Sequence, residues 1–180
     1  MTPFVIIGTP RSRTAWLARF LSYGGRTCLH EPSLQFDKEA SLSNFLSDDS
    51  ASAADCMMSF MARDIRVLRP DCVIVSVRRP LPEVHESFAK LGIAVPEWYL
   101  KLMDDDAASA DVDLAVSFND LNSEHVCRMV FETCLKQPMD REWWLHLKDE
   151  NIQSDVQATM RTIVRDNARL GAVFGKYYAL

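Results

Sequence analysis

The chain lacks the cysteine and histidine patterns that mark disulfide frameworks and zinc sites. Its 180 residues include five cysteines, an odd number, and no two of them form a Cys-x-x-Cys pair. His85 and His125 stand outside any metal-ligand spacing. We therefore expect no metal site, and we interpret most of the cysteines as small core residues.

Long hydrophobic runs are also missing. No uninterrupted apolar stretch exceeds four residues, the length of the segment from Phe4 to Ile7, whereas a membrane-spanning helix needs about 20. No basic segment followed by an apolar one precedes this first stretch, so no signal peptide is indicated. We expect a cytoplasmic protein with no membrane partner.

Positive charge is in deficit over the whole chain. Twenty Lys and Arg residues stand against 25 Asp and Glu residues, which gives a net charge of −5 and disfavours a general nucleic-acid binder. The first 30 residues nevertheless contain Arg11, Arg13, Arg19 and Arg26 and no acid. This end of the chain is expected to attract a compact anion.

The order of the predicted elements is typical of an α/β protein. Short apolar segments bounded by charge, Gly or Pro predict strands at Pro3 to Gly8, Arg26 to His30, Cys72 to Val77 and Leu114 to Phe118. Helical periodicity and start signals predict helices at Thr14 to Tyr23, Leu42 to Arg63, Pro82 to Leu91, Pro96 to Asp105, Ser123 to Lys136, Arg141 to Leu147 and Ser154 to Phe174. We predict one domain, residues 1–180, with a mostly parallel sheet of about four to five strands flanked by helices.

The segment FVIIGTPRSRTAWLARFL, residues 4–21, runs from a strand through a short loop into a helix. Such a junction presents unpaired backbone N–H groups and the positive end of the helix dipole, which suit a phosphate or sulfate. The nucleoside-triphosphate P-loop does not fit, because Arg13 replaces its second glycine and Thr14 replaces its lysine. An ordinary ATPase or kinase is therefore disfavoured.

The loop instead resembles the phosphosulfate loop of sulfotransferases, which have a three-layer, P-loop-like α/β fold. Its residues here are Pro10, Arg11, Ser12, Arg13, Thr14, Ala15 and Trp16. The resemblance implies 3′-phosphoadenosine 5′-phosphosulfate (PAPS) as co-substrate, without a metal. It implies that Arg11 lies beside the transferring sulfuryl group, that Ser12 and Thr14 supply hydroxyl and backbone donors, and that Trp16 lies near the adenine. Arg13 stands where the family has glycine, and we expect it to keep ordinary backbone angles, with its side chain directed outward or at the nucleotide.

The segment VSVRRPLPEVHES, residues 75–87, is similar to the element of the same family that binds the 3′-phosphate. There an arginine ends a strand, a proline follows two residues later, and a serine follows eight residues after the arginine. Arg78 has the proline spacing and Arg79 has the serine spacing to Ser87. We favour Arg78 with Ser87, and Arg79 remains the alternative. The segment AVSFNDL, residues 115–121, also resembles a later strand of the family.

A transferase of this kind also needs a proton acceptor for the attacking group. Glu31 and His30 follow the second predicted strand and would reach the same edge of the sheet as the loop. We favour Glu31 over His30 as the base, and the alternative is that both cap the strand or pair with Arg11. Met57, Met58 and Met61 are interpreted as core, with a wall of the acceptor site as the alternative.

The resemblance implies transfer of a sulfuryl group from PAPS to a hydroxyl or amine, on a small-molecule or carbohydrate acceptor. Two alternatives stay open: a P-loop-like phosphotransferase or nucleotide kinase, and a degenerate nucleotide-binding module without catalysis. The family's lysine-containing C-terminal loop has no convincing counterpart, because Gly171 to Lys176 reads better as the end of the last helix. The oligomeric state is left open.

Overall fold

A parallel sheet forms the centre of the fold. The computed structural model describes residues 2–36 and 39–152, and its strands are β1 (Phe4–Gly8), β2 (Leu29–His30), β3 (Ser52–Ala54), β4 (Val73–Arg78) and β5 (Leu114–Ser117). They lie in the order β2-β3-β1-β4-β5, and every neighbouring pair is parallel. The predicted α/β class and the predicted mostly parallel sheet of four to five strands are confirmed.

Seven α-helices surround this sheet within the described part of the chain. They are α1 (Thr14–Leu21), α2 (Glu39–Leu46), α3 (Ala62–Leu68), α4 (Leu81–Ala89), α5 (Glu97–Ser109), α6 (Glu124–Leu135) and α7 (Arg141–Leu147). Short 3-10 turns follow three of the strands, at Pro32–Gln35, Met57–Met61 and Phe118–Asn122. In residues 2–36 and 39–152, no helix has the length and apolar content needed to cross a bilayer.

The residues of β1 alternate between two hydrophobic cores. Phe4 and Ile6 pack with α1, α6 and α7 on one face of the sheet, while Val5 and Ile7 pack with α2 and α3 on the other. All four side chains are completely buried, and burial of such a side chain is worth about 1.5–3 kcal/mol. The unbroken apolar run at the start of the chain is thus explained by its central position, covered on both faces.

The topology has a switch point, the usual position of a ligand crevice, beside the end of β1. The helix after β1 packs on one face of the sheet, and the turn and helix after the neighbouring β3 pack on the other. In open α/β sheets, adjacent strands whose connections leave on opposite faces open a ligand crevice at their carboxyl ends. The β1–α1 loop and the residues after β2, β3 and β4 all meet this edge.

The predicted helix from Leu42 to Arg63 is wrong. The structure ends α2 at Leu46, inserts the strand β3 (Ser52–Ala54) between β1 and β2, and begins α3 only at Ala62. The three residues of β3 are small and completely or almost completely buried, so they give neither the alternating nor the helical pattern that marks a strand or a helix.

Among the other elements predicted within the described residues, the helix from Arg141 to Leu147 has its predicted bounds, and the rest are present with shifted ends. The strand predicted from Arg26 contains only Leu29 and His30, because it pairs with β3 alone at the edge of the sheet. The predicted helix from Ser154 to Phe174, and the segment from Gly171 to Lys176, lie outside the described residues. The single-domain assignment of residues 1–180 stays a prediction.

Gly8 provides a test of the packing that holds the β1–α1 loop. A Cβ atom added to Gly8 would lie 1.9 Å from the carbonyl oxygen of Val77, so β1 and β4 could not keep their spacing. We expect Gly8→Ala to lower the free energy of unfolding by about 3 kcal/mol or more, as measured by urea denaturation.

The matched control is Gly25→Ala. Gly25 has a φ of +84° with nothing within 4 Å of an added Cβ. The only cost of this variant is backbone strain, so its free energy of unfolding should fall by only about 1 kcal/mol. Equal losses in the two variants would contradict the packing argument.

Candidate active site

The β1–α1 loop is built from strained backbone. Arg11 and Arg13 both have a φ of 64°, in the left-handed region that costs a residue other than glycine about 1–2 kcal/mol. The expectation that Arg13 keeps ordinary backbone angles is therefore wrong: it adopts the conformation that glycine has at such a position. Strain of this kind persists only where the surroundings enforce it, and it clusters at functional sites.

Hydrogen bonds from two other parts of the chain, and one within the loop, hold it in place. The Gly8 N–H donates to Ser59 Oγ, which donates in turn to the Gly8 carbonyl, both at 3.1 Å. Thr9 Oγ1 lies 2.7 Å from Ser12 Oγ and accepts from the Arg79 N–H at 2.8 Å. Ser12 is completely buried and its hydroxyl pairs with Thr9 inside the loop, while its role as a ligand donor stays a prediction.

The amino end of α1 has no neutralising group of its own. Arg13 occupies the cap position without a side-chain hydrogen bond to the helix, and the first turn contains no acidic residue. Leu17 makes the first intrahelical bond, to the Arg13 carbonyl at 2.8 Å, so the amides before it have no partner within the helix. This end of α1 is suited to an anion.

Two arginines and a serine from separate segments meet beside the loop. Arg11 Nε donates to Ser87 Oγ at 3.0 Å, and Arg79 Nη1 donates to the Arg11 carbonyl at 3.1 Å. Burial, and then the positive charge of Arg79, lower the pKa of Arg11. The Arg79 guanidinium lies 4.2 Å from the centre of the Phe118 ring and 3.3 Å from Glu83 Oε2. We call Arg11, Arg79 and Ser87 the arginine–serine cluster.

Arg78 does not join this cluster. Its Nε and Nη2 donate to the two carboxylate oxygens of Asp104 on α5, at 2.8 and 2.9 Å, and this carboxylate raises the pKa of Arg78. Consecutive residues at the end of a strand point to opposite sides, so only one of the two arginines could reach the loop. The structure brings Arg79 there, whereas the sequence analysis favoured Arg78.

The side chains of Arg13 and Trp16 face the protein and not the crevice. The Trp16 side chain is 1% exposed and its Nε1 donates to the Leu147 carbonyl at 2.8 Å; the expectation that it lies near the adenine is wrong. The Arg13 guanidinium lies 4.3 Å from the centre of the Trp16 ring and donates to Asn122 Oδ1 and the Lys148 carbonyl, at 3.2 and 3.3 Å. Both residues fasten α1 to the elements behind it.

The two candidate bases, His30 and Glu31, contact the first residue of α1. Thr14 Oγ1, at the first residue of α1, lies 3.2 Å from His30 Nε2 and donates to Glu31 Oε1 at 3.4 Å. His30 Nε2 and Glu31 Oε1 are 3.7 Å apart. Glu31 has a φ of 49°, and this turn of the backbone directs its side chain toward β3. The Thr14 hydroxyl is thus engaged by His30 and Glu31, and its role toward a nucleotide stays a prediction.

A second carboxylate lies behind Glu31. Asp55, directly after β3, is completely buried, and its oxygens accept from the amides of Ser33, Met57 and Met58 at 2.8, 2.9 and 3.1 Å. Burial, and then the charge of Asp55, raise the pKa of Glu31 well above its usual range, whereas burial lowers the pKa of His30.

Sequence reasoning missed Asp55, Cys56 and Ser59. The Cys56 amide and Sγ lie 3.3 and 3.4 Å from the Glu31 carboxylate, and Ser59 fixes Gly8. These residues follow a strand that carried no recognisable pattern. Met58 is completely buried, as the core interpretation expected, while Met57 Sδ accepts from Tyr99 Oη at 3.1 Å.

Comparison with protein-family models and with curated proteins finds no match for this chain. Within residues 2–36 and 39–152, no group of three or more His, Cys, Asp or Glu side chains is arranged to hold a metal ion. The geometry itself shows a strained loop at the amino end of α1 with a cationic side, the arginine–serine cluster, and an acid–base side, Thr14 with His30 and Glu31.

The buried Glu31 should make stability depend on pH. Because its pKa is raised in the folded protein, the folded state holds this proton more tightly than the unfolded state, and stability falls as pH rises above about 4.5. Glu31→Gln removes this loss. We expect the variant to gain about 1 kcal/mol or more relative to the wild type between about pH 5 and pH 7, in urea denaturation.

The control for this measurement is Glu142→Gln, at an exposed glutamate in the first turn of α7. It should follow the wild-type curve over the same pH interval. The lowered pKa of His30 acts in the opposite sense, with stability lost as pH falls below about 6.5, so the three proteins are compared in a His30→Gln background that lacks this contribution. A Glu31→Gln curve parallel to the wild-type curve would contradict the raised pKa of Glu31.

Proposed function

We propose that this protein transfers a sulfuryl group from PAPS to a hydroxyl or amine, on a small-molecule or carbohydrate acceptor. The observation that carries the proposal is the arginine–serine cluster. Arg11 comes from one sulfotransferase-like segment and Arg79 and Ser87 come from the other, more than 60 residues away, and they meet at the amino end of α1. Two guanidinium groups and a hydroxyl at one helix end suit a ligand with more than one anionic group.

The nucleotide's two anionic ends correspond to two parts of the site. The 5′-phosphosulfate would lie against the backbone amides of the β1–α1 loop and Arg11. The 3′-phosphate would be bound by Arg79 and Ser87, whose spacing of eight residues is that of the family's element. Phe118 and Glu83 support this role, since both contact the Arg79 guanidinium and fix its position.

Beyond binding, sulfuryl transfer requires the protein to stabilise the charge on the leaving phosphate and to remove a proton from the acceptor. The acceptor oxygen or nitrogen forms a bond to sulfur while the bond from sulfur to the bridging oxygen breaks, and the electron pair stays on the 5′-phosphate. Arg11 and the positive end of α1 would stabilise this developing charge. The acceptor's proton must leave in the same step, and His30 and Glu31, which contact the first residue of α1, would take it.

Calorimetric titration with 3′-phosphoadenosine 5′-phosphate, the product nucleotide, tests the nucleotide site. We expect the wild type to bind it more tightly than adenosine 5′-phosphate, and Arg79→Ala to lose affinity for it by about tenfold or more, because a buried charge-assisted contact to the 3′-phosphate is removed. The affinity for adenosine 5′-phosphate should change little.

The matched control is Arg78→Ala, which removes an arginine that pairs with Asp104 outside the cluster. It should bind within about threefold of the wild type, since no ligand contact is lost. Loss of affinity in Arg78→Ala but not in Arg79→Ala would overturn the assignment, and no binding by the folded wild type would overturn the proposed function.

Two outcomes separate the alternatives. Magnesium-dependent turnover of ATP by the wild type would favour a phosphotransferase. Tight binding of the product nucleotide without transfer from radiolabelled PAPS to para-nitrophenol, sugars or a tyrosine-containing peptide would favour a nucleotide-binding module. Asp55 gives the phosphotransferase no support as a magnesium ligand, because backbone amides engage both of its oxygens.

A further inference from the structure

The acid–base side of the site contains a continuous chain of polar atoms. It runs from His30 Nε2 through Thr14 Oγ1 to Glu31 Oε1, with steps of 3.2 and 3.4 Å. The two ends differ in exposure: the His30 side chain is 27% exposed and the Glu31 side chain is 12% exposed. Both oxygens of Glu31 are also engaged by Cys56. An acceptor in the crevice can therefore reach His30 more easily than Glu31.

We propose that His30, Thr14 and Glu31 form a proton relay, in which His30 takes the proton of the attacking group and Thr14 connects it to Glu31. The proposal rests on the proposed function and deepens it. It changes the assignment from the sequence, where Glu31 was favoured as the direct base. In the relay Glu31 and Thr14 act through His30 as positioning residues.

The hydrogen-bond directions allow one consistent path. When Glu31 is ionised, the Thr14 hydroxyl donates to Oε1, so its own lone pair accepts from His30 Nε2–H. The other ring nitrogen, Nδ1, is then the acceptor for the incoming proton. As the O–H or N–H bond of the sulfuryl acceptor breaks, its proton moves to His30 Nδ1. The Nε2 proton then moves to Thr14 Oγ1, and the Thr14 proton moves to Glu31 Oε1. In total, one proton passes from the sulfuryl acceptor to the Glu31 carboxylate. Catalytic triads have the same organisation, in which an attacking group is hydrogen-bonded to a base and a third group orients that base.

The charged groups around the relay favour this direction. Glu31 faces Asp55 and Cys56 after β3, His30 at the end of β2, and Tyr99 on α5. Burial and the Asp55 charge raise the pKa of Glu31, so its ionised carboxylate binds the relayed proton strongly. Burial lowers the pKa of His30, although Asp55 opposes the change, so the ring is neutral and able to accept a proton near pH 7.

The test uses the Thr14 hydroxyl, which the relay assigns to His30 and Glu31 and not to the nucleotide. Thr14→Val keeps the shape of the side chain and removes the hydroxyl, whereas Thr14→Ser keeps the hydroxyl. The first readout is the titration of the His30 imidazole by NMR in the ligand-free protein, assigned with His30→Gln. We expect Thr14→Val and Glu31→Gln each to lower the His30 pKa by about half a unit or more, because the imidazolium loses its partner chain.

Thr14→Ser should restore the wild-type titration, and Glu142→Gln should leave it unchanged. The second readout is affinity for 3′-phosphoadenosine 5′-phosphate by calorimetry, which should stay within about threefold in Thr14→Val. A loss of tenfold or more there would show that the hydroxyl serves the nucleotide and would overturn the relay. An unchanged His30 titration in both Thr14→Val and Glu31→Gln would overturn it as well.

Failure of the relay and failure of the proposed function give different results. If the wild type binds no 3′-phosphoadenosine 5′-phosphate, the sulfotransferase proposal fails whatever the titrations show. If the wild type binds it and the His30 pKa is unchanged in Thr14→Val and Glu31→Gln, only the relay fails. Since Thr14→Val could disturb α1, the Glu31→Gln titration decides the relay independently of that variant.

Discussion

The close approach of β1 to β4 at Gly8 sets the position of the whole site. There is no room for a side chain between Gly8 and the Val77 carbonyl, so β1 ends directly beside β4, and the chain must turn away at once. Ser59 then binds both polar groups of the Gly8 backbone, and Thr9 binds the Arg79 amide. The strained loop, the amino end of α1 and Arg79 all take their places from this contact.

The site concentrates interactions that cost stability. Two left-handed arginines, two neighbouring guanidinium groups and two buried carboxylates lie along one edge of the sheet. None of these arrangements is needed to bury the two hydrophobic cores. Proteins keep such local conflicts where a ligand or a proton has to be bound, and the surrounding packing supports them. The completely buried residues of β1 provide that support here.

The sequence alone predicted the elements that have strong hydrophobic patterns, and it predicted which loops carry chemistry. It failed at β3, because Ser52, Ala53 and Ala54 are too small to give a periodic hydrophobic signal. Because the strand was not predicted, the position of Asp55 directly after it was not predicted either. It also could not choose between Arg78 and Arg79. Which of two adjacent residues faces a loop depends on where the strand ends and on partners such as Asp104, and local sequence contains neither.

The edge strand β2 has a consequence for how the two sides of the site move. It contains two residues, and within residues 2–36 and 39–152 its only neighbour in the sheet is β3, while the loop that would hold the nucleotide follows a five-residue strand paired on both sides. Short edge segments open by local fluctuation at a lower free energy than central ones. The nucleotide side would therefore be preorganised, and the side that meets the acceptor would adapt its shape, so one rigid donor site could serve acceptors of several sizes.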